Sequence, residues 1–136
     1  MGAGVTIFQP NGSPLKRFSA QGVDLNGTGD RLTFTGLPSV PYVVEKILIH
    51  GWSATPAAPL VMTLRDASSG GGNSLAGSMS GLNLLVTSTA LALEAVPNVD
   101  VLGTNRTLTS TSLYLNASAG NGSALTANVT LIISIL

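Results

Sequence analysis

The chain has no cysteine. Disulfides, thiolate nucleophiles and thiolate metal sites are therefore excluded, and so is the compartment clue that cysteine pairing supplies. Charge is almost as scarce. Charged side chains are 9% of the residues, six basic against six acidic, where an ordinary soluble domain carries about 25%. Nucleic-acid binding needs clustered Lys and Arg, and the one basic doublet is Lys16-Arg17. A coat protein packaging RNA directly would carry a basic arm, yet residues 1–10 hold no charged side chain. Aromatics are 4%, too few for the girdles of a membrane β-barrel. No apolar run approaches the ~18 residues of a membrane helix. The N-terminus shows neither the charged start nor the apolar run of a signal peptide.

What is present is aliphatic and hydroxylic. The hydrophobic fraction is 44% and mean hydropathy is +0.42. With so little charge, much of the surface must be Thr, Ser, Asn, Gly, Ala and exposed aliphatics. A neutral monomer with such a surface is poorly soluble, so the composition predicts an oligomer or a member of a larger assembly. A chain of 136 residues makes one domain with a real core.

Residues 41–52, PYVVEKILIHGW, form the clearest strand. β-branched residues dominate it, and Pro41 and Gly51 punctuate its ends. Strict alternation sets Val43, Glu45, Ile47 and Ile49 on one face and Val44, Lys46, Leu48 and His50 on the other. Further strands are predicted at 5–9, 31–35, 60–66, 75–80, 82–86, 90–96, 99–102, 107–116 and 124–136. In the last of these, Val129, Leu131, Ile133 and Ile135 share a face. Residues 24–30 and 117–123 read as turns, and Gly70-Gly71-Gly72 as a flexible hairpin tip. Many short strands with regular turn signals and no long helix define the expectation: an all-β, single-domain, antiparallel β-sandwich, jelly-roll-like, over residues 1–136. Residues 1–22, with Phe18, allow an extended N-terminal arm.

Chemical motifs are near misses. His50 is the single histidine, with no partner in sight for base or metal chemistry. Asp24-Leu25-Asn26-Gly27-Thr28-Gly29-Asp30 has the oxygen spacing of a calcium loop, but its twelfth position is Thr35 rather than Glu. Gly77-Ser78-Met79-Ser80-Gly81 has Met79 where a hydrolase elbow needs the nucleophile. The triple glycine lacks the Lys-Ser/Thr of a phosphate loop. Five Asn-x-Ser/Thr triplets, at Asn26, Asn105, Asn116, Asn121 and Asn128, read as by-products of turns and wet strands rather than glycan acceptors. No catalytic, cofactor or metal residue is assigned. Trp52, Tyr42 and Tyr114 could supply a small aromatic platform for a sugar, although core or interface packing is the commoner fate of such rings.

Tyr42, Val44 and Ile47 in the early strand, then Leu113, Tyr114 and Leu115 before a terminal strand, resemble small β-rich virion proteins of tailed bacteriophages. The likeness spans residues 37–136 and rests on hydrophobic patterning. It implies a head decoration, or cement, protein on the outer surface of the capsid. Such a protein forms a homo-oligomer, a trimer by preference, and clamps the major capsid protein lattice, with no nucleic acid or membrane partner and no cofactor. The residues expected at its interfaces are Val5, Ile7, Phe8, Trp52 and Tyr114, with residues 2–8 adding a strand to a neighbour's sheet. Three competing readings stand beside it: a host- or carbohydrate-recognition module, a shell-forming jelly-roll coat protein, and an enzyme.

Overall fold

Alternating aliphatic residues build strands where Gly, Pro and Asn let the chain reverse between them. Such strands dominate the computed structural model, which describes residues 5–8, 14–72, 74–75, 79–95 and 107–136. In chain order they are β1 (Val5–Phe8), β2 (Pro14–Asp24), β3 (Gly29–Phe34), β4 (Tyr42–His50), β5 (Val61–Arg65), β6 (Met79–Ser80), β7 (Leu93–Ala95), β8 (Leu113–Ala119) and β9 (Thr126–Ile135). One helical turn, α1 (Leu82–Leu85), lies between β6 and β7. The strands form two antiparallel sheets, one ordered β1-β2-β9-β4-β7 and the other β3-β8-β5-β6. The protein is an antiparallel β-sandwich.

The pairing is nested. After β1, the first strand pairs with the last, β2 with β9, and then β3 with β8, β4 with β7 and β5 with β6. Two further ladders, β4–β9 and β5–β8, join these pairs into sheets. From β2 onward the chain changes sheet at every step except β5 to β6.

One core fills the space between the sheets. Val129, Leu131 and Ile133 of β9 and Ile47 and Ile49 of β4 face Phe34, Met62, Leu64, Leu113 and Leu115 of the other sheet, all buried. The alternation predicted for β5 and β9 holds there. In β4 it does not, because a bulge at Glu45 shifts the register between Val44 and Lys46. One extra residue flips the phase, so Tyr42 and Val44 join Ile47 and Ile49 on the inner face. Val43, Lys46 and Leu48 face outward, opposite Ser134, Ile132 and Thr130.

Several boundaries move. Residues 14–22 are no arm: β2 lies between β1 and β9, and Phe18 is buried opposite Leu131. β1 pairs with β2 of its own chain, from Val5 opposite Arg17 to Phe8 opposite Pro14. The strand expected at 82–86 is α1, because Leu82 and Val86 are both buried. That spacing of four is one helical turn, whereas a strand would bury alternate residues. The strand at 90–96 shrinks to β7. β8 begins at Leu113 rather than 107 and runs on through 117–119, which read as turn. The strand expected at 99–102 lies outside the described residues, as do residues 76–78 of the strand expected at 75–80.

Residues 107–111 are instead laid along the start of β4. Tyr42 and Leu108 exchange backbone hydrogen bonds of 2.9 and 2.8 Å, and the Tyr42 hydroxyl donates to the Ser110 carbonyl at 2.6 Å. Burial, with a smaller push from Asp66, raises the Tyr42 pKa to about 12. The unfolded chain ionises first, near pH 10, so stability tied to the neutral phenol is intact below that pH. It drains away as pH rises toward 12. At neutral pH, Tyr42→Phe should cost ~1 kcal/mol for the lost hydrogen bond. Urea midpoints of the two proteins should converge above pH 10, because only the wild type loses this contribution; parallel pH profiles would refute the assignment.

Candidate interaction surface

The two outer faces of the sandwich differ. On the β3-β8-β5-β6 sheet the exposed row is polar and already hydrogen-bonded to itself. The Asp30 carboxylate accepts from Asn116 Nδ2 and from the Ser69 backbone N–H, each at 2.9 Å. Arg65 donates to Thr63 Oγ1 at 3.2 Å and to the Gly72 carbonyl at 3.4 Å. The 66–72 loop is thereby fastened over the sheet at Ser69 and Gly72, and a Gly71 N–H bond to the Ser68 carbonyl, 3.1 Å, closes its turn. It is not the free hairpin tip that three glycines suggest. On the five-stranded sheet the outer face mixes Leu15, Val43, Leu48 and Ile132 with Arg17 and a Lys46–Glu94 ion pair of 3.5 Å. Ser19 and Thr130 share a hydroxyl hydrogen bond of 3.2 Å.

At one end of the sandwich the β2–β3, β4–β5, β6–β7 and β8–β9 connections meet. Leu25 N–H bonds to the Leu125 carbonyl at 2.9 Å, and Ser53 N–H to the Thr126 carbonyl at 2.9 Å. Gly120 packs so closely on the β2–β3 loop that a Cβ there would lie 2.8 Å from the Gly27 carbonyl oxygen. Asn121 is the buried bolt. Its Oδ1 accepts from the N–H groups of Ala57 and Ala58 at 2.7 and 3.3 Å, and its Nδ2 donates to the Ser123 carbonyl at 3.0 Å. Burial also removes Asn121 from the glycan-acceptor triplets. Asn121→Ala leaves the Ala57 and Ala58 N–H groups and the Ser123 carbonyl without this partner and should cost ~1–3 kcal/mol. The exposed Asn26→Ala should stay within ~0.5 kcal/mol. Urea titration of both variants checks the difference.

Among the described residues, this end carries three of the five exposed large apolar side chains, the other two being Val40 and Leu136. Leu84, Leu85 and Leu91 are 79, 54 and 41% exposed. α1 creates the first two: it turns Leu82 and Val86 into the core and Leu84 and Leu85 outward. Leu91 is held in place because Trp52 Nε1 donates to its carbonyl at 3.1 Å. Residues 51–64, 67–93 and 107–136 contain no Asp, Glu, Lys or Arg, so three of the four connections are uncharged. The β2–β3 loop brings Asp24 and Arg31, which approach each other at 3.9 Å.

The residues singled out from the sequence do not gather. Trp52 is 4% exposed and Tyr42 is buried, so both belong to the core. The expectation of Trp52 as an interface residue is corrected: its ring fills the apolar interior while its one N–H finds a carbonyl. Tyr114 is half-buried on the outer face of the four-stranded sheet, between Thr33 and Arg65. Val5, Ile7 and Phe8 lie on β1, at the far edge of the other sheet. The 24–30 loop is no calcium cradle. Arg31 sends its guanidinium into it, donating to the Thr28 carbonyl at 2.8 Å, while Asp30 turns away to Ser69 and Asn116. Among the described residues no three His, Asp or Glu side chains cluster as metal ligands. Met79 of the elbow-like motif is buried.

Sequence reading missed Leu84, Leu85 and Leu91. The signal was there in Gly81 followed by a Leu82–Val86 spacing of four, with Leu84 and Leu85 left over. No protein-family model matches the chain, and no curated protein sequence matches it significantly.

Proposed function

We propose that the protein is a structural virion component, a decoration protein that docks on the assembled phage head and stabilises it. The observation that carries this reading is the exposure of Leu84, Leu85 and Leu91 at an end of the sandwich where three of the four connections are uncharged. Such a surface is suited to burial against protein rather than to chemistry. The mechanism is thermodynamic. A protein that binds only the assembled lattice stabilises it by mass action, ~2.7 kcal/mol per site at a free concentration of 100 Kd.

The nested strand pairing supports the jelly-roll reading, since two Greek keys folded from one long antiparallel ribbon produce that order. It also favours a second function, a shell-forming coat protein, because capsid shells use this architecture. The recognition-module reading loses its aromatic platform with Trp52 and Tyr42 in the core.

Antiserum against the purified chain should label the outside of virion heads, and the protein should cosediment with them and raise their disruption temperature. Labelling confined to the tail would move the assignment to a recognition module. Closed particles formed by the purified chain alone would establish the coat reading instead.

A further inference from the structure

We propose that Asn26-Gly27, in the β2–β3 loop, is a site of self-modification, where the chain converts its own asparagine to aspartate or isoaspartate and loosens the loop. The inference goes beyond the virion reading and does not depend on it.

The chemistry needs an asparagine side chain free to turn onto the next backbone nitrogen, and a next residue that leaves that nitrogen uncovered. Glycine leaves it most open, having no Cβ. The Gly27 nitrogen gives up its proton and bonds to Asn26 Cγ. The Cγ–Nδ2 bond breaks, and the amide nitrogen leaves with that proton as ammonia. Water then opens the resulting succinimide at either carbonyl, giving aspartate or isoaspartate. No other reactant is required.

The fold contains a matched comparison. Asn121-Gly122 is the same dipeptide, yet Asn121 is buried and both ends of its amide are occupied. Its Oδ1 accepts from the Ala57 and Ala58 N–H groups, and its Nδ2 donates to the Ser123 carbonyl and hydroxyl. It cannot turn onto Gly122 without giving up those bonds. Asn26 is exposed. Its backbone N–H is held by Asp24 Oδ1 at 2.8 Å, while its side-chain amide has no hydrogen bond among the described residues. The third such pair, Asn11-Gly12, lies outside the described residues.

Two neighbours add to the case. Arg31 lays its guanidinium against Gly27, where a Cβ would lie 2.5 Å from Nη1. A cation there favours the amide anion that attacks. Gly120 approaches the same loop so closely that its own Cβ would lie 2.9 Å from the Asn26 carbonyl oxygen. Isoaspartate carries the main chain through the side-chain carbon and so adds one CH2 to the backbone. The lengthened loop no longer fits against Gly120, and the contact between the β2–β3 and β8–β9 connections opens.

The test incubates the intact chain in warm, mildly alkaline buffer, native and in denaturing urea, and follows each asparagine by peptide mapping with mass spectrometry. Six basic side chains balance six acidic ones, so each conversion also adds an acidic species in isoelectric focusing. In the native protein Asn26 should convert at least ~100-fold faster than Asn121, which reacts only through an opening that breaks its bonds. In urea the two should agree to within ~10-fold, because the unfolded chain presents both. Gly27→Ala should slow native conversion about 10-fold or more, since the new methyl group covers the nitrogen and displaces Arg31. Should that variant fail to fold, the native-to-urea comparison of the wild type decides alone. Aged wild type should melt below fresh protein in step with its isoaspartyl fraction, whereas aged Asn26→Ala should not.

An Asn26 that keeps its amide in the native protein while converting in urea overturns the inference. So does native Asn121 converting as fast as Asn26, or Gly27→Ala converting at the wild-type rate. Isoaspartate at position 26 with unchanged melting overturns the loosening.

Discussion

Ile47→Asp will give no cooperatively folded protein. Ile47 is fully buried on the inner face of β4, opposite Leu131 of β9 and Ala95 of β7. Truncating a buried aliphatic of this size costs ~2–5 kcal/mol through lost apolar transfer and the cavity left behind. The carboxyl group adds a further cost of several kcal/mol, because it is either ionised without a partner or kept neutral by a large pKa shift. Together these match the whole stability of a domain of this size, ~5–15 kcal/mol. Ile47→Val at the same site should cost only ~0.5–1.5 kcal/mol, so a pair of thermal melts separates a core position from a merely sensitive one. A soluble Ile47→Asp protein melting in one sharp transition would show that β4 is not interior.

The same strand shows what sequence alone conveys. Its existence, its extent and the burial of Ile47 and Ile49 follow from a period-two apolar pattern bounded by Pro41 and Gly51. Its phase does not. The Glu45 bulge transfers Val44 to the core side, and a bulge is set by the ladder with β9, which no local pattern encodes. β9 itself, uninterrupted from Val129 to Ile133, was readable on both counts. α1 failed for the opposite reason. Four apolar residues in the five of LNLLV suit a strand or a helical turn, and the choice is made by what lies beneath them: Leu82 and Val86 both fit the core only when one turn apart. Since exposure of Leu84 and Leu85 follows from that choice, the candidate surface was hidden behind a secondary-structure error. Trp52 misled in the other direction. Its place closing the strand suits an interface as well as a core, and the space between the sheets takes this large side chain at the end of β4. A missing ligand or nucleophile, by contrast, is read from the sequence itself. Arg31 nevertheless adds what spacing could not, a guanidinium lying in the loop that resembled a calcium site.

Phe18→Ala will cost about 3–5 kcal/mol, the range for a buried aromatic emptied to a methyl group. An arm reaching toward a neighbour would predict almost no change in the melting of the isolated protein. The structure makes β2 the companion of β9 over most of its length, with Phe18 opposite Leu131 and Ala20 opposite Val129 before the register shifts ahead of Val23. That shift explains why the stretch is hard to read. It breaks the alternation near Gly22, which adopts φ 63°, and leaves Phe18 and Val23 as the two buried apolar side chains of the strand. Phe18 therefore carries much of the contact by which β2 closes its edge of the core. Arg17→Ala, one residue away and exposed on the outer face, should change stability by less than ~1 kcal/mol. Urea midpoints for the two neighbours should differ accordingly. Equal and small effects would return residues 14–22 to the role of an arm. A large effect at Phe18 alone would confine any reach toward other subunits to the chain before Pro14, since β2 could not leave its sheet without opening the core.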